Sequence, residues 1–148
     1  DVVFTNGVLH HTPDIGRSLS EIQRVLKPGG ELWMTLYHKH SVFYLLSVCV
    51  WTHVLRGGFL KMSLQDRRAL IEDTGSDARP IVNVYSKREV RRIVQDTRLS
   101  VEFIGCRKLV HEDFPGTICR LIRPLPQKLL DRFGHVVGWY VVTRARKV

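Results

Sequence analysis

The stretch DVVFTNGVLHHTPDIGRSLSEIQRVLKPGGELWMTLY, Asp1 to Tyr37, decides the fold. Asp1 to Asn6 is a run of β-branched and aromatic residues closed by Asn6-Gly7, the punctuation of a strand that stops and turns. Beyond the loop Gly7 to Pro13, either Thr12 or Asp14 can cap a helix, with Pro13 tolerated at its entry. Ile15, Leu19, Ile22 and Leu26 then recur at the three- and four-residue steps of one helix face. Lys27 suits the negative end of that helix, and Pro28-Gly29-Gly30 stops it. Glu31 to Tyr37 reads as a second strand, apolar enough to be covered on both faces. Strand, helix and strand in this order imply two parallel strands joined by a right-handed crossover, the unit of doubly wound α/β proteins.

Outward from this unit the reading changes character. His38 to Pro80 reads as a helical insert: an apolar helix within Ser41 to Leu55, a break at Gly57-Gly58, an amphipathic helix near Leu64 to Glu72, and a polar turn at Asp73 to Asp77. Insertions on a fixed scaffold commonly carry recognition, so this segment is read as a lid over the acceptor. The apolar stretch is shorter than the roughly 18 to 20 residues a membrane-crossing helix needs. Flanked by Lys39, His40, Arg56 and Lys61, it would suit a peripheral membrane contact, but burial against the rest of the domain is the simpler reading.

Ser86 and Glu89 form a capping-box pair. They open a helix whose Val90, Ile93 and Val94 face inward while Lys87, Arg88, Arg91 and Arg92 face water. Leu99 to Cys106 and Trp139 to Ala145 read as strands, with a Pro-rich stretch and a short helical patch, Gln127 to Phe133, between them.

Composition narrows the classes. The chain has 148 residues and 44% hydrophobic content, the material for one domain with a core. Its 23 basic and 14 acidic residues give +9. That charge attracts anions in general, but no aromatic residues are interleaved with the basic runs as in a base-stacking groove, so a nucleic-acid partner is not expected. Cys49, Cys106 and Cys119 stand far apart without CxxC spacing, which favours a reducing, cytoplasmic setting. His38 and His40 alternate onto one side but lack a third ligand, so no metal site is read from the sequence.

Asp1 to Asp14, the helix ending Arg24-Val25-Leu26-Lys27-Pro28-Gly29-Gly30, and the strand to Leu36 together resemble the fourth strand, following helix and fifth strand of class I S-adenosylmethionine-dependent methyltransferases of the type 11 kind. Tyr85-Ser86-Lys87-Arg88-Glu89 resembles the Tyr-Ser/Thr-x-x-Glu opening of that family's late helix, while the likeness thins through Val42 to Asp77.

The resemblance implies a Rossmann-like doubly wound sheet, of which residues 1–148 form the C-terminal half: strands four to seven in the order four, five, seven, six, with helices on both faces. Within it, residues 1–37 are the strand-helix-strand core, 38–80 the insert and 81–148 the last helix and strands. The Gly-x-Gly cofactor loop of the family is expected upstream of Asp1, so the chain reads as a fragment inactive alone, with one edge of its first strand open.

The resemblance also implies S-adenosyl-L-methionine as cofactor and a small-molecule methyl acceptor, whose identity the residues do not spell out; the apolar helix of the insert would suit a lipid-like one. In an open α/β sheet ligands bind beyond the carboxyl ends of the strands. That places Asn6, Gly7, Val8, His10 and His11 on the cofactor's flank. His10 and His11 are candidates for a catalytic base, and Tyr37, His38 and Tyr85 for the acceptor pocket. A non-catalytic domain of the same fold and a nucleic-acid methyltransferase are the competing functions. Against the latter, Asn6 is followed by Gly-Val-Leu rather than by the Pro-Pro-aromatic loop of many amino-methylating nucleic-acid enzymes.

Overall fold

The computed structural model describes residues 1–55, 63–72 and 80–148. The Gly57-Gly58 break and the Asp73 to Asp77 turn lie outside them.

Four strands form one sheet: β1 (Val2–Asn6), β2 (Glu31–Tyr37), β3 (Leu99–Arg107) and β4 (Tyr140–Lys147), in the order β1-β2-β4-β3. The pair β1 and β2 is parallel, and β4 lies antiparallel between β2 and β3. The last strand in sequence therefore fills the middle of the sheet, as the resemblance implies. Among the described residues β1 forms one edge, with Val2 and Phe4 exposed.

Helix α1 (Ile15–Val25) joins β1 to β2. Asp14, not Thr12, is its cap, accepting from the Arg17 amide at 3.0 Å. Its far end differs from the expectation. Lys27 is exposed, and Lys147 at the end of β4 donates to the Gln23 and Leu26 carbonyls, each at 2.7 Å. A lysine remote in sequence thus neutralises the helix terminus, because the neighbouring strand ends beside it. Gly29 adopts φ +76°, a left-handed turn that glycine enters without steric cost.

Helix α1 and helix α4 (Lys87–Asp96) share one core with the sheet, in which Leu19, Leu32, Val94, Val141 and Ala145 are fully buried. The Ser86–Glu89 capping box is formed in both directions, at 2.7 and 3.2 Å. The two helices cover the same sheet face. On the opposite face β2 is only half covered: Leu32, Met34 and Leu36 are buried, whereas Glu31, Trp33 and Thr35 are intermediate. Burial on both faces was expected of this strand. Its side chains alternate instead, because the second face carries a charged network over Trp33.

The insert contains α2 (Phe43–Leu55), wound with the wider π repeat, and α3 (Leu64–Ala69) with a 3₁₀ turn at Leu70–Glu72. Helix α2 packs Tyr44 and Val48 into a second core with Tyr37, Val82, Val84 and Trp139, while Leu45 and Val50 stay exposed. Among the described residues no helix is long and apolar enough to cross a membrane. Between β3 and β4 lie two further helices, α5 (Gly116–Ile122) and α6 (Gln127–Val137). Helix α5 was not read from the sequence; it buries no residue, and its Ile118 and Leu121 are exposed. Helix α6 runs a turn beyond the expected Phe133 and packs on β3.

Candidate functional site

The parallel pairing of β1 and β2 brings their carboxyl ends side by side, and the site is built there. After β1 the chain turns through Gly7, at φ +70°, into a 3₁₀ turn at Leu9–His11. Asn6 and Val8 are exposed, and the space that a Cβ on Gly7 would enter is open, so this turn bares backbone to its surroundings. His10 and His11 follow in opposite circumstances. His10 is wholly buried, and neither ring nitrogen has a hydrogen-bond partner among the described residues. His11 is half-buried and hydrogen-bonded through Nδ1 to the Ile81 carbonyl at 2.8 Å.

The extended segment 80–85 locks this turn in place. The Asn83 amide donates to the His10 carbonyl at 2.9 Å, and its side chain donates to the Thr12 carbonyl at 3.2 Å. The same segment lies along the end of β2 through the Tyr85 amide and the Tyr37 carbonyl. Tyr37, the last residue of β2, stacks its ring 3.8 Å from that of His10 and 4.4 Å from that of Trp139. Its hydroxyl donates to Glu72, at the end of the insert's 3₁₀ turn. Glu72 in turn lies 4.0 Å from His11 Nε2. Three segments distant in sequence thus converge on one cluster: His10, His11, Tyr37 and Glu72.

Burial sets the protonation states. Loss of water, reinforced by the adjacent His11 and opposed by Glu72, pulls the His10 pKa down to about 4, so its ring is neutral near pH 7. Burial, then the Glu72 carboxylate, hold the Tyr37 phenol proton above its ordinary range. Tyr37 is therefore a donor to Glu72 and His10 a neutral ring beneath it.

The structure separates the other expected residues from this cluster. His38 is buried, its Nδ1 donates to the Gly138 carbonyl at 3.0 Å, and it lies against Cys106 at 3.4 Å. Its ring is committed to the sheet interior, since side chains alternate along an extended run and Tyr37 takes the site-facing direction. Tyr85 contributes backbone here, while its ring packs toward the core beneath α1 and α4. Glu72 was not singled out from the sequence: no motif surrounds it, and only the folding back of the insert brings it near His11.

The sequence and fold comparisons bear on the fold that carries this arrangement. The family model for the methyltransferase domain matches residues 1–34. The chain also superposes on a SAM-dependent methyltransferase from Methanosarcina mazei with a TM-score of 0.59, at 18% identity, covering 100% of this chain and 59% of that one. This is the class I methyltransferase fold. A chain of the Haloferax volcanii complex between the Trm112 methyltransferase activator and a methyltransferase matches with a TM-score of 0.56, at 18% identity, covering 99% of this chain and 53% of that one. The 1,6-didemethyltoxoflavin-N1-methyltransferase of Burkholderia thailandensis, solved with 1,6-didemethyltoxoflavin and S-adenosylhomocysteine bound, matches with a TM-score of 0.50, at 16% identity, covering 100% of this chain and 44% of that one. The chain thus spans between 44% and 59% of the length of these methyltransferase-fold structures. No curated protein matches it by sequence.

Proposed function

We propose that this chain is the acceptor-side portion, strands four to seven, of an S-adenosylmethionine-dependent methyltransferase acting on a small, lipid-like molecule. The observation that carries the reading is the polar cluster at the carboxyl ends of β1 and β2, beside a bared backbone turn, in a methyltransferase fold. The turn fits a cofactor's flank: Asn6, Gly7 and Val8 offer exposed backbone, and Gly7 leaves its side-chain space open. S-adenosylmethionine, when bound, supplies an already activated methyl group on a sulfonium. The protein then has to align the acceptor and, where the acceptor is protonated, remove its proton.

For the second task His11 is the better placed of the two histidines. It is half-exposed, whereas His10 has no route to a substrate proton. With Nδ1–H engaged by Ile81, the neutral His11 ring presents Nε2 as the proton acceptor, and Glu72 stands beside it to stabilise the imidazolium that forms. Tyr37 and His10 are positioning residues: the first orients Glu72, the second fills the floor. The exposed Leu45 and Val50 of α2, next to this cluster's second core, supply the apolar surface that a lipid-like acceptor or a membrane face would meet. The cysteines that are all free support a cytoplasmic setting.

The test uses the whole protein that contains this chain. It is expected to transfer a labelled methyl group from S-adenosylmethionine to a member of a panel of amphiphilic and polar small molecules, and to sediment with anionic vesicles in low salt. An absence of both methyl transfer and thermal stabilisation by S-adenosylhomocysteine would leave a non-catalytic domain of the same fold as the better account.

A further inference from the structure

The two ring nitrogens of His10 pose a problem that the methyl-transfer reading does not solve. A buried polar group without a partner costs about 1–3 kcal/mol, so a fold rarely keeps one without a use for it. His10 keeps both ring nitrogens within a sealed setting. Beside it, the His11 Nδ1 faces a carbonyl oxygen, which can only accept, so Nδ1 carries the hydrogen and Nε2 of the neutral ring carries a lone pair. That nitrogen lies 4.0 Å from the Glu72 carboxylate, beyond the reach of a hydrogen bond.

One ligand atom each from His10, His11 and Glu72 lies within 4.8 Å of the other two. We propose that these three side chains bind a divalent transition-metal ion, a site of two imidazoles and one carboxylate. Ligand bonds of about 2.0–2.2 Å in tetrahedral array put donor atoms about 3.4 Å apart, so the cluster needs to contract by roughly 1 Å. His11 and Glu72, both half-exposed, have the freedom to do so. The outer partners are already in place. A metal-ligating histidine ordinarily donates its other N–H to a carbonyl, as His11 does to Ile81, and a ligating carboxylate is itself hydrogen-bonded, as Glu72 is by Tyr37. Two imidazoles with one carboxylate suit zinc, iron, cobalt or nickel rather than calcium or magnesium, which prefer all-oxygen shells. Three protein ligands leave a fourth position for water or another donor. The ion would occupy the place of a proton at His11 Nε2, so while it is bound His11 cannot serve as the base; metal binding is read by titration and methyl transfer by label, so the failure of either is seen separately.

The test is a titration of the chelator-treated whole protein that contains this chain with cobalt(II) alone, followed by visible absorption, with zinc(II) added as competitor. One equivalent is expected to bind, giving weak d–d bands of an N/O site that zinc abolishes. His11→Ala and Glu72→Gln, which each remove a ligand, are expected to weaken binding by more than about 100-fold, and Tyr37→Phe to weaken it by about 10-fold, since losing a hydrogen bond to a ligand costs about 10- to 100-fold. His40→Ala, outside the cluster, leaves binding unchanged. Glu72→Gln retains an oxygen for the Tyr37 hydroxyl, and near-ultraviolet circular dichroism separates its loss of binding from a loss of fold. The proposal is overturned by an absence of saturable cobalt uptake, by uptake indifferent to His11→Ala and Glu72→Gln, or by an intense sulfur-to-cobalt charge-transfer band, which places the ion on a cysteine.

Discussion

Two polar clusters occupy the two ends of β2, about 20 Å apart at the rise of an extended strand. At its start, Glu31 accepts from Trp33 Nε1 at 3.1 Å, from Arg144 at 2.6 and 3.0 Å, and from Arg146 at 3.0 Å. Glu102 on β3 closes the network by pairing with the same two arginines at 3.2 and 2.9 Å. At the end of β2, His10 has two nitrogens without partners, and His11 and Glu72 stand 4.0 Å apart. The first cluster is saturated, and it ties three strands together across the sheet face that α1 and α4 do not cover. The second leaves capacity unused inside a buried setting, at the place where open α/β sheets bind ligands. Hydrogen-bonding capacity that folding leaves unfilled marks the end of the sheet where chemistry is to be sought.

The comparison breaks most directly on activity. In the whole protein, Glu72→Gln is expected to lower kcat for methyl transfer about 100-fold, the usual worth of an assisted proton transfer, with little change in melting temperature. Glu31→Gln, at the saturated end, should leave kcat unchanged. Equal losses from the two substitutions would erase the functional distinction between the clusters.

Acid titration separates them next, because their windows differ. His10 has a folded pKa of about 4 against 6.5 when unfolded. Above pH 6.5 it is neutral in both states. Between pH 6.5 and about 4 the unfolded chain binds a proton that the folded chain refuses, so stability falls as pH falls, by about 3 kcal/mol in all. Glu31 shifts in the same direction but in a lower window: hydrogen bonds from Arg144, Trp33 and Arg146 lower its pKa to about 2. Its contribution is present above pH 4.5 and is lost as pH falls from there toward 2. Urea denaturation at a series of pH values should show both losses, and His10→Leu should remove only the upper one.

A smaller effect sharpens the same point. At pH 7.5 His10→Leu is expected to stabilise the chain by about 1–2 kcal/mol in urea melts, because it removes a buried polar ring that has no partner. A loss of stability would mean that His10 has a partner and that the cluster is saturated after all. The smallest effect belongs to the solvent-exposed Arg92–Asp96 pair on α4, at 3.8 Å. Arg92→Ala should shift stability by no more than about 0.5 kcal/mol, which sets the scale against which the buried cluster is judged.

The legible parts of this fold were those written in local periodicity. Ile15, Leu19 and Leu26 predict the buried stripe of α1, Ser86 and Glu89 its counterpart's cap, and Asn6-Gly7 the end of β1, because each signal lies within one turn of chain. Helix α5 escaped because its seven residues lie between Pro115 and Pro124, too short a run for helical spacing to stand out. Of the site, His10, His11 and Tyr37 were visible as a loop and a strand end that the resemblance places together, whereas His38 was misplaced by a single alternation of the backbone. Glu72 carries no local mark, since its role depends on where the insert folds back.

By itself, then, the sequence determined the strand-helix-strand unit, its parallel sense and the turn that ends it, since strand alternation, helical spacing and glycine's left-handed freedom act over a few residues. Only the tertiary structure decided which charges are spent and which remain open. Lys147 closing α1, Arg144 saturating Glu31, and Glu72 meeting His11 are contacts between segments far apart in the chain, set by which strand ends beside which helix and by water excluded from between them.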